Sequence, residues 1–533
     1  MITTTFANGN ITELVAARLA EWQSSNTVAD VANGRTQVWG EADTPELSDR
    51  VGWITLPSRY DELEADLDSA RRWADANSFE EIVVLGMGGS SLAPEVMGAV
   101  LETTRALRVI DTTHPAAVRR LMPKNLSATG FIVSSKSGGT LETMSLFAHA
   151  WDAVSQAVES PGDHFVAVTD PGSSLAKLAA DRSFANVFLA DPNVGGRYSA
   201  LTAFGLVPAA AAGIDTETLV AASAAHVLDE ASTQDHTGVR LGAQWGESVA
   251  AGRDKLTIVT NAELAALPSW IEQLVAESTG KDGTGIVPIP TAASEDSAKW
   301  GTDRVVLYID TVDDPLTTTM SEAPSVHLRL DSANDLGAAM YLLEVATAFA
   351  GIVLAIHPFN QPDVQLAKNL AKQALDGTLK VSSSEQIEAD DPEVGSRLVS
   401  FLADRRVTDY VVVLAYVDND LAMGEALTGL VENIRSLTGL PTVLQIGPRY
   451  LHSTGQLHKG GPGSGIFVEI VGHAPVDLPI PGRSFSFGEL MAAQATADYA
   501  ALRQRHRRVA NVSLGADHTI ALENVVTSFV EAM

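Results

Sequence analysis

Ser134 to Thr143, Ser-Ser-Lys-Ser-Gly-Gly-Thr-Leu-Glu-Thr, sets hydroxyls, a lysine and two glycines in close order. The apolar run Phe131-Ile132-Val133 before it predicts a short buried strand. After it, Met144, Phe147, Trp151, Val154 and Val158 recur at spacings of three and four, which predicts an amphipathic helix. A Ser/Thr/Gly loop between a strand and a helix start suits an anion. Free backbone N–H groups and the positive end of the helix dipole converge there, and the hydroxyls of Ser135, Ser137 and Thr140 can add donors. Lys136 adds a formal charge. The same residues also fit a plain helix cap.

Four further clusters carry chemistry-bearing side chains. Glu81 to Leu85 predicts a strand, and Gly86-Met87-Gly88-Gly89-Ser90-Ser91 follows it as a turn whose backbone can approach a ligand closely. It lacks the third glycine of the dinucleotide fingerprint, so a nicotinamide cofactor is not indicated, and a tight strand-to-helix turn explains it equally well. Gly195-Gly196-Arg197-Tyr198-Ser199 puts an arginine on a glycine turn, as a loop anchor or as a ligand. Trp270 to Lys281 ends an apolar helix with Glu277, which in isolation fits a solvated helix end. Asn360 to Lys368 starts a helix with Pro362 near its first position, where Lys368 by itself fits a surface side chain.

The elements that must position these residues alternate. Strands are predicted at Leu107 to Ile110, Phe131 to Ser134 and Phe165 to Val168, with helical patterns between them, the mark of a parallel sheet covered on both faces. Ligands in such sheets bind at the carboxyl ends of the strands, where both Gly/Ser loops fall. Before this block, Ile11 to Gln23 and a stretch from Ser58 through Trp73 read as amphipathic helices, the second opened by a Ser58/Asp61 capping box. After it come Leu256 to Val259 (strand), Leu264 to Ala276 (helix) and Val305 to Ile309 (strand). Ser382 to Glu393 is polar and acidic and reads as a linker; beyond it, Tyr410 to Val417, Leu421 to Leu437 and Thr442 to Ile446 form a βαβ unit.

At 533 residues the chain is long enough for two or three domains. No apolar run reaches the roughly 18 residues of a membrane span, and the N-terminus lacks the basic region of a signal peptide. There are no cysteines, which excludes disulfides and thiolate chemistry and fits a cytoplasmic enzyme. A net charge of −30 argues against a nucleic-acid partner and means that any bound anion needs a locally positive pocket.

Taken together, these motifs resemble the phosphoglucose isomerase family within the wider group of sugar-isomerase domains. Gly86-Met-Gly-Gly-Ser90 is similar to its Gly-Ile-Gly-Gly-Ser, and Ser135 to Thr143 to its phosphate loop. Gly195 to Ser199 is similar to its Gly-Gly-Arg-x-Ser, and Glu277-Ser-Thr-Gly-Lys281 to its Glu-Ser-Asn-Gly-Lys. Gln361 and Lys368 keep the separation of its late Gln and Lys, and the resemblance runs in order from residue 50 to 375. It is nearest to an actinobacterial form sometimes fused to transaldolase, although no transaldolase-like segment is present. One motif is displaced: no histidine lies between His236 and His327, and a similar stretch, Leu451-His452-Ser453-Thr454-Gly455-Gln456, follows Lys368 instead.

The resemblance implies an α/β fold with two flavodoxin-like parallel-sheet sandwich domains and an additional C-terminal α/β segment. The expected division is 1–75 (N-terminal helical segment), 76–235 (first sugar-isomerase domain, with the phosphate loop), 236–381 (second sugar-isomerase domain) and 382–533 (C-terminal segment with the displaced histidine). It implies interconversion of glucose 6-phosphate and fructose 6-phosphate, an intramolecular redox step of glycolysis and gluconeogenesis. The implied roles are proton transfer by Glu277, oxyanion stabilisation by Arg197, and ring opening by His452 and Lys368. Gly89, Ser90, Ser135, Lys136, Ser137, Thr140 and Gln361 would bind the substrate and its phosphate. No cofactor or metal is implied, and His452 with His458 makes a poor metal site. The implied partners are the sugar phosphate, a second subunit that supplies the histidine, and transaldolase in related fusions, with no membrane or nucleic acid. A dual glucose/mannose phosphate isomerase and a non-catalytic phosphosugar sensor are the alternatives.

Overall fold

The computed structural model describes residues 1–533 except 42, 230, 296, 318–320, 380–385 and 516–517, with backbone alone at 364 and 365. Among the described residues the strands are β1 (Ile2–Ala7), β2 (Glu81–Leu85), β3 (Ala106–Ile110), β4 (Thr129–Ser134), β5 (Phe165–Thr169), β6 (Asn186–Leu189), β7 (Lys255–Thr260), β8 (Val287–Pro290), β9 (Arg304–Thr311), β10 (Ser325–Leu330), β11 (Gln386–Glu388), β12 (Tyr410–Tyr416), β13 (Thr442–Ile446), β14 (Gly465–Val471) and β15 (Arg508–Ser513). They form three five-stranded sheets.

The chain divides into two compact units. One comprises Met1–Asp111, Pro123–Ala298 and Thr302–Asn360; the other comprises Thr112–Met122, Lys299–Gly301 and Gln361–Met533. The first unit holds two sheets, ordered β3-β2-β4-β5-β6 and β8-β7-β9-β10-β1, and the second holds β13-β12-β14-β15-β11. Each sheet therefore repeats one arrangement: four consecutive parallel strands in the order 2-1-3-4, closed by a fifth strand at the far edge. That is the flavodoxin-like order, whose switch point opens between the first and third strands. Only the source of the fifth strand differs. It follows its block as β6, comes from the N-terminus as antiparallel β1, or precedes its block as β11.

The strands form where apolar, β-branched residues run together. All six residues of β4 and all seven of β12 are buried, as the centre of a sheet covered on both faces requires. β1 was not foreseen; its Ile-Thr-Thr-Thr-Phe-Ala alternates between half-buried and exposed positions, the pattern of an edge strand. The helix Leu336–Val353 fills the core of the first unit. Its length and apolar composition would let it cross a membrane, but 89% of its most apolar window is buried inside the protein.

Two local expectations fail. Ser58 ends a 3₁₀ helix, Gly52–Ser58, and the helix Asp61–Ala76 begins after Tyr60 with no side-chain cap. Burial of Trp53, Ile54, Leu56 and Pro57 takes this segment into the core before the helix can start. Within the expected linker, Gln386–Glu388 is instead β11, paired with β15, while Ser382 to Glu385 lie outside the described residues.

Candidate active site

In the first unit the anion loop leaves the carboxyl end of β4 and opens the helix Leu141–Ala157. Thr140 stands at the N-cap in extended conformation, yet its side chain does not cap the helix. Its hydroxyl lies 3.1 Å from Ser135 Oγ, which accepts from the Gly138 amide at 3.2 Å. A plain capping role is therefore not what these hydroxyls perform. Ser135 is buried, Thr140 half-buried and Ser137 exposed. Gly138 is required as glycine: its φ is +69°, and a Cβ there would lie 2.4 Å from the Leu175 nitrogen.

Lys136 turns to the neighbouring loop. Its ammonium pairs with Asp170 at 3.0 Å and donates to the carbonyls of Pro192 (3.1 Å) and Val194 (2.9 Å). It thereby ties the anion loop to the residues just before Gly195-Gly196-Arg197. The glycine loop after β2 meets the same segment backbone to backbone, since a Cβ on Gly89 would fall 2.0 Å from the Gly196 carbonyl oxygen. Ser90, the next residue, is half-buried. Three of the sequence motifs are thus joined in one place.

Arg197 is buried and every arm of its guanidinium is engaged. Nη1 pairs with Glu277 Oε1 at 3.0 Å, Nε donates to Ser278 Oγ at 2.9 Å, and Nη2 donates to the carbonyls of Pro358 and Asn360, each at 2.9 Å. Glu277 sits in the last turn of the helix Leu267–Thr279, its side chain only 8% exposed, so it is not the solvated helix end that its position alone suggests. Gln273, one turn earlier on the same face, donates to its Oε2 at 3.2 Å. Both carboxylate oxygens are held, which fixes the orientation of a prospective base. Gln273 carried no role in the sequence reading; its four-residue spacing from Glu277 was the available signal.

Lys281 extends this arrangement. Its buried ammonium donates to the His357 carbonyl at 2.6 Å. Burial, then the nearby Arg197 charge, push its pKa well below the ordinary lysine value, against the pull of Glu277. Two cations, Arg197 and Lys281, together clamp three carbonyls of residues 357–360.

The second unit carries the remaining predicted residues. Gln361 precedes the helix Pro362–Leu375, and both Gln361 and Lys368 are exposed. His452 ends the 3₁₀ helix Arg449–His452 and is half-buried. The helix that follows it, Gly455–Gly460, is fastened to the start of the Lys368 helix. The Asp363 amide donates to Gln456 Oε1 at 3.0 Å, and Gln456 Nε2 donates to Asp363 Oδ2 at 2.8 Å. The displaced histidine motif and the late lysine motif are therefore packed together despite their permuted order. His458 is fully buried against the rings of Tyr450 and Phe467, with its pKa pushed well below the ordinary value by burial. Among the described residues no cluster of His, Asp or Glu has the makings of a metal site.

Comparison with known proteins agrees with this set of motifs. The sequence profile of phosphoglucose isomerase matches residues 60–301. A glucose-6-phosphate isomerase of Rubrobacter xylanophilus is 29% identical over 386 residues, which span 61% of this chain and 89% of that protein. One from Acaryochloris marina is 32% identical over 255 residues, 45% of this chain and 47% of the relative. Among solved structures, a glucose-6-phosphate isomerase from Chlamydia trachomatis superposes with a TM-score of 0.59 at 20% identity, over 75% of this chain and 91% of that one. A hypothetical protein from Thermus thermophilus gives the same TM-score at 22% identity, over 70% of this chain and all of its own. These two structures establish likeness of fold. The motifs, the profile over residues 60–301 and the relatives thus agree in likening this chain to the phosphoglucose isomerases.

Proposed function

We propose that this enzyme interconverts glucose 6-phosphate and fructose 6-phosphate, with Glu277 as the base. The observation that carries the reading is the buried Arg197–Glu277 pair, joined to the anion loop through Lys136 and the Gly89–Gly196 contact. The phosphate binds Ser135, Ser137, Thr140 and the helix N-terminus, and this remote binding fixes the position of the reacting carbons. Glu277 takes the proton from C2 as the C1–C2 double bond of a cis-enediolate forms; the O2 hydroxyl proton passes to O1, and Glu277 returns its proton to C1 as the C2 carbonyl forms. Arg197, held rigid by its four partners, stabilises the developing oxyanion without reorganising.

The sugar arrives as a closed ring. In this reading His452 and Lys368 move the proton from the O1 hydroxyl to O5, and Gln361 contacts the substrate. A homodimer with His452 supplied in trans belongs to the same reading, as does a cytoplasmic location. The relatives are named for glucose 6-phosphate, so neither the dual glucose/mannose isomerase nor the non-catalytic sensor is favoured.

The test is turnover of glucose 6-phosphate to fructose 6-phosphate with EDTA present, compared with mannose 6-phosphate. Turnover of the glucose substrate with little or none of mannose 6-phosphate supports the reading. No turnover of glucose 6-phosphate contradicts it. For the dimer, mixing inactive His452→Ala and Glu277→Gln subunits restores activity if the histidine acts in trans. No restoration despite demonstrated subunit exchange removes that part.

A further inference from the structure

Asp498, on the helix Phe487–Gln504, is fully buried in the second unit and binds both flanks of the His452 turn. Tyr450, two residues before His452, donates its hydroxyl to Asp498 Oδ2 at 2.7 Å. Lys459, seven residues after it, pairs with Asp498 Oδ1 at 2.5 Å, both side chains being at most 2% exposed. Lys459 also donates to the Gly455 carbonyl at 3.3 Å, and Tyr450 Oη lies 3.0 Å from Tyr416 Oη at the end of β12. One carboxylate thus closes the 3₁₀ turn Arg449–His452 and the helix Gly455–Gly460 into a single loop with His452 between its anchors.

Stability alone does not explain such a device. Desolvating a carboxylate and an ammonium roughly cancels their attraction, and an apolar replacement of similar volume is often as stable. What a buried charge pair provides is a unique geometry, because any other arrangement leaves a charge unpaired. Here that geometry is the path of the backbone through His452, whose ring is half-buried rather than sunk in the core.

We propose that Asp498, acting through Tyr450 and Lys459, is a positioning residue that holds His452 for sugar-ring opening. The inference rests on the ring-opening role given to His452 above. Two readouts separate ring opening from proton transfer. Enzyme-catalysed interconversion of the α and β anomers of glucose 6-phosphate needs ring opening alone. Loss of C2 deuterium from a four-carbon aldose 4-phosphate, which cannot close a ring, needs proton transfer alone.

Tyr450→Phe keeps the Asp498–Lys459 pair and removes one anchor; Asp498→Asn weakens both. The expected result is about a tenfold slower anomer interconversion in each variant, with deuterium loss from the open-chain substrate within twofold of the parent. In a His452→Ala background neither substitution should slow anomer interconversion further. Should Asp498→Asn fold poorly, Tyr450→Phe carries the test. Equal losses on both readouts, or no loss in Tyr450→Phe while His452→Ala is impaired, would overturn the positioning role alone. An unimpaired His452→Ala enzyme would remove the role of His452, and this inference with it.

Discussion

Gln456 and Asp363, 93 positions apart, exchange two hydrogen bonds that lock the helix after His452 onto the first turn of the Lys368 helix. Both residues are buried, and Asp363 also pairs with Arg505. The arrangement explains how a permuted motif order can leave the two motifs together. Contact is made by side chains at the helix starts, so the order in which the chain supplies those helices is immaterial.

Gln456→Leu removes both bonds and leaves the Asp363 amide and one carboxylate oxygen buried without these partners. The expected cost is about 2–3 kcal/mol, because a hydrogen bond to a charged group contributes roughly 1.5–3 kcal/mol. Urea unfolding reads it as a lowered midpoint for the second unit. An unchanged midpoint would mean that the two helices are held by their apolar contacts instead.

In the anion loop, Ser135→Ala and Thr140→Ala each remove a hydroxyl available to the substrate phosphate. At roughly 1.5–3 kcal/mol for a bond to a charged group, each substitution should raise KM about tenfold or more. Steady-state kinetics of the double variant decide the matter. An unaltered KM would show that the phosphate binds elsewhere.

His114, in the second unit, is 1% exposed, and neither ring nitrogen has a hydrogen-bond partner. Burial pushes its pKa down from 6.5 to about 4. Between those values the unfolded chain binds a proton that the native state refuses, so stability falls as the pH is lowered through this window. The full contribution is present above pH 6.5 and is lost by about pH 4, a loss on the order of 3 kcal/mol. His226, His236 and His458 are shifted downward by burial too and act in the same sense. Unfolding free energies measured from pH 7 to pH 4 should decline, and His114→Asn should flatten the decline. An identical slope in that variant would assign the acid sensitivity to other groups.

Much of the first unit was legible because its signals are local. The strand Glu81–Leu85 and the helix beyond Thr140 follow from residues a few positions apart. Glu277 was not legible as a buried group, because what buries and pairs it is Arg197, 80 positions earlier. Lys136 reads from sequence as an anion ligand, whereas the loop at Pro192–Val194 occupies its ammonium. The βαβ pattern after residue 409 was visible, but the edge strands β1 and β11 were not. Each is short or weakly apolar and exists as a strand only through the neighbour it pairs with.

The central claim is that Glu277 carries the proton between C2 and C1. Glu277→Gln keeps the shape of the side chain and removes its capacity to accept a proton, so kcat should fall by roughly two to four decades. The most direct measurement is loss of deuterium from C2-labelled glucose 6-phosphate in water, followed by NMR. The account predicts that Glu277→Gln loses the label two to four decades more slowly than the parent while still interconverting the sugar's anomers. Label loss at the parental rate would contradict it, and the base would have to be another residue.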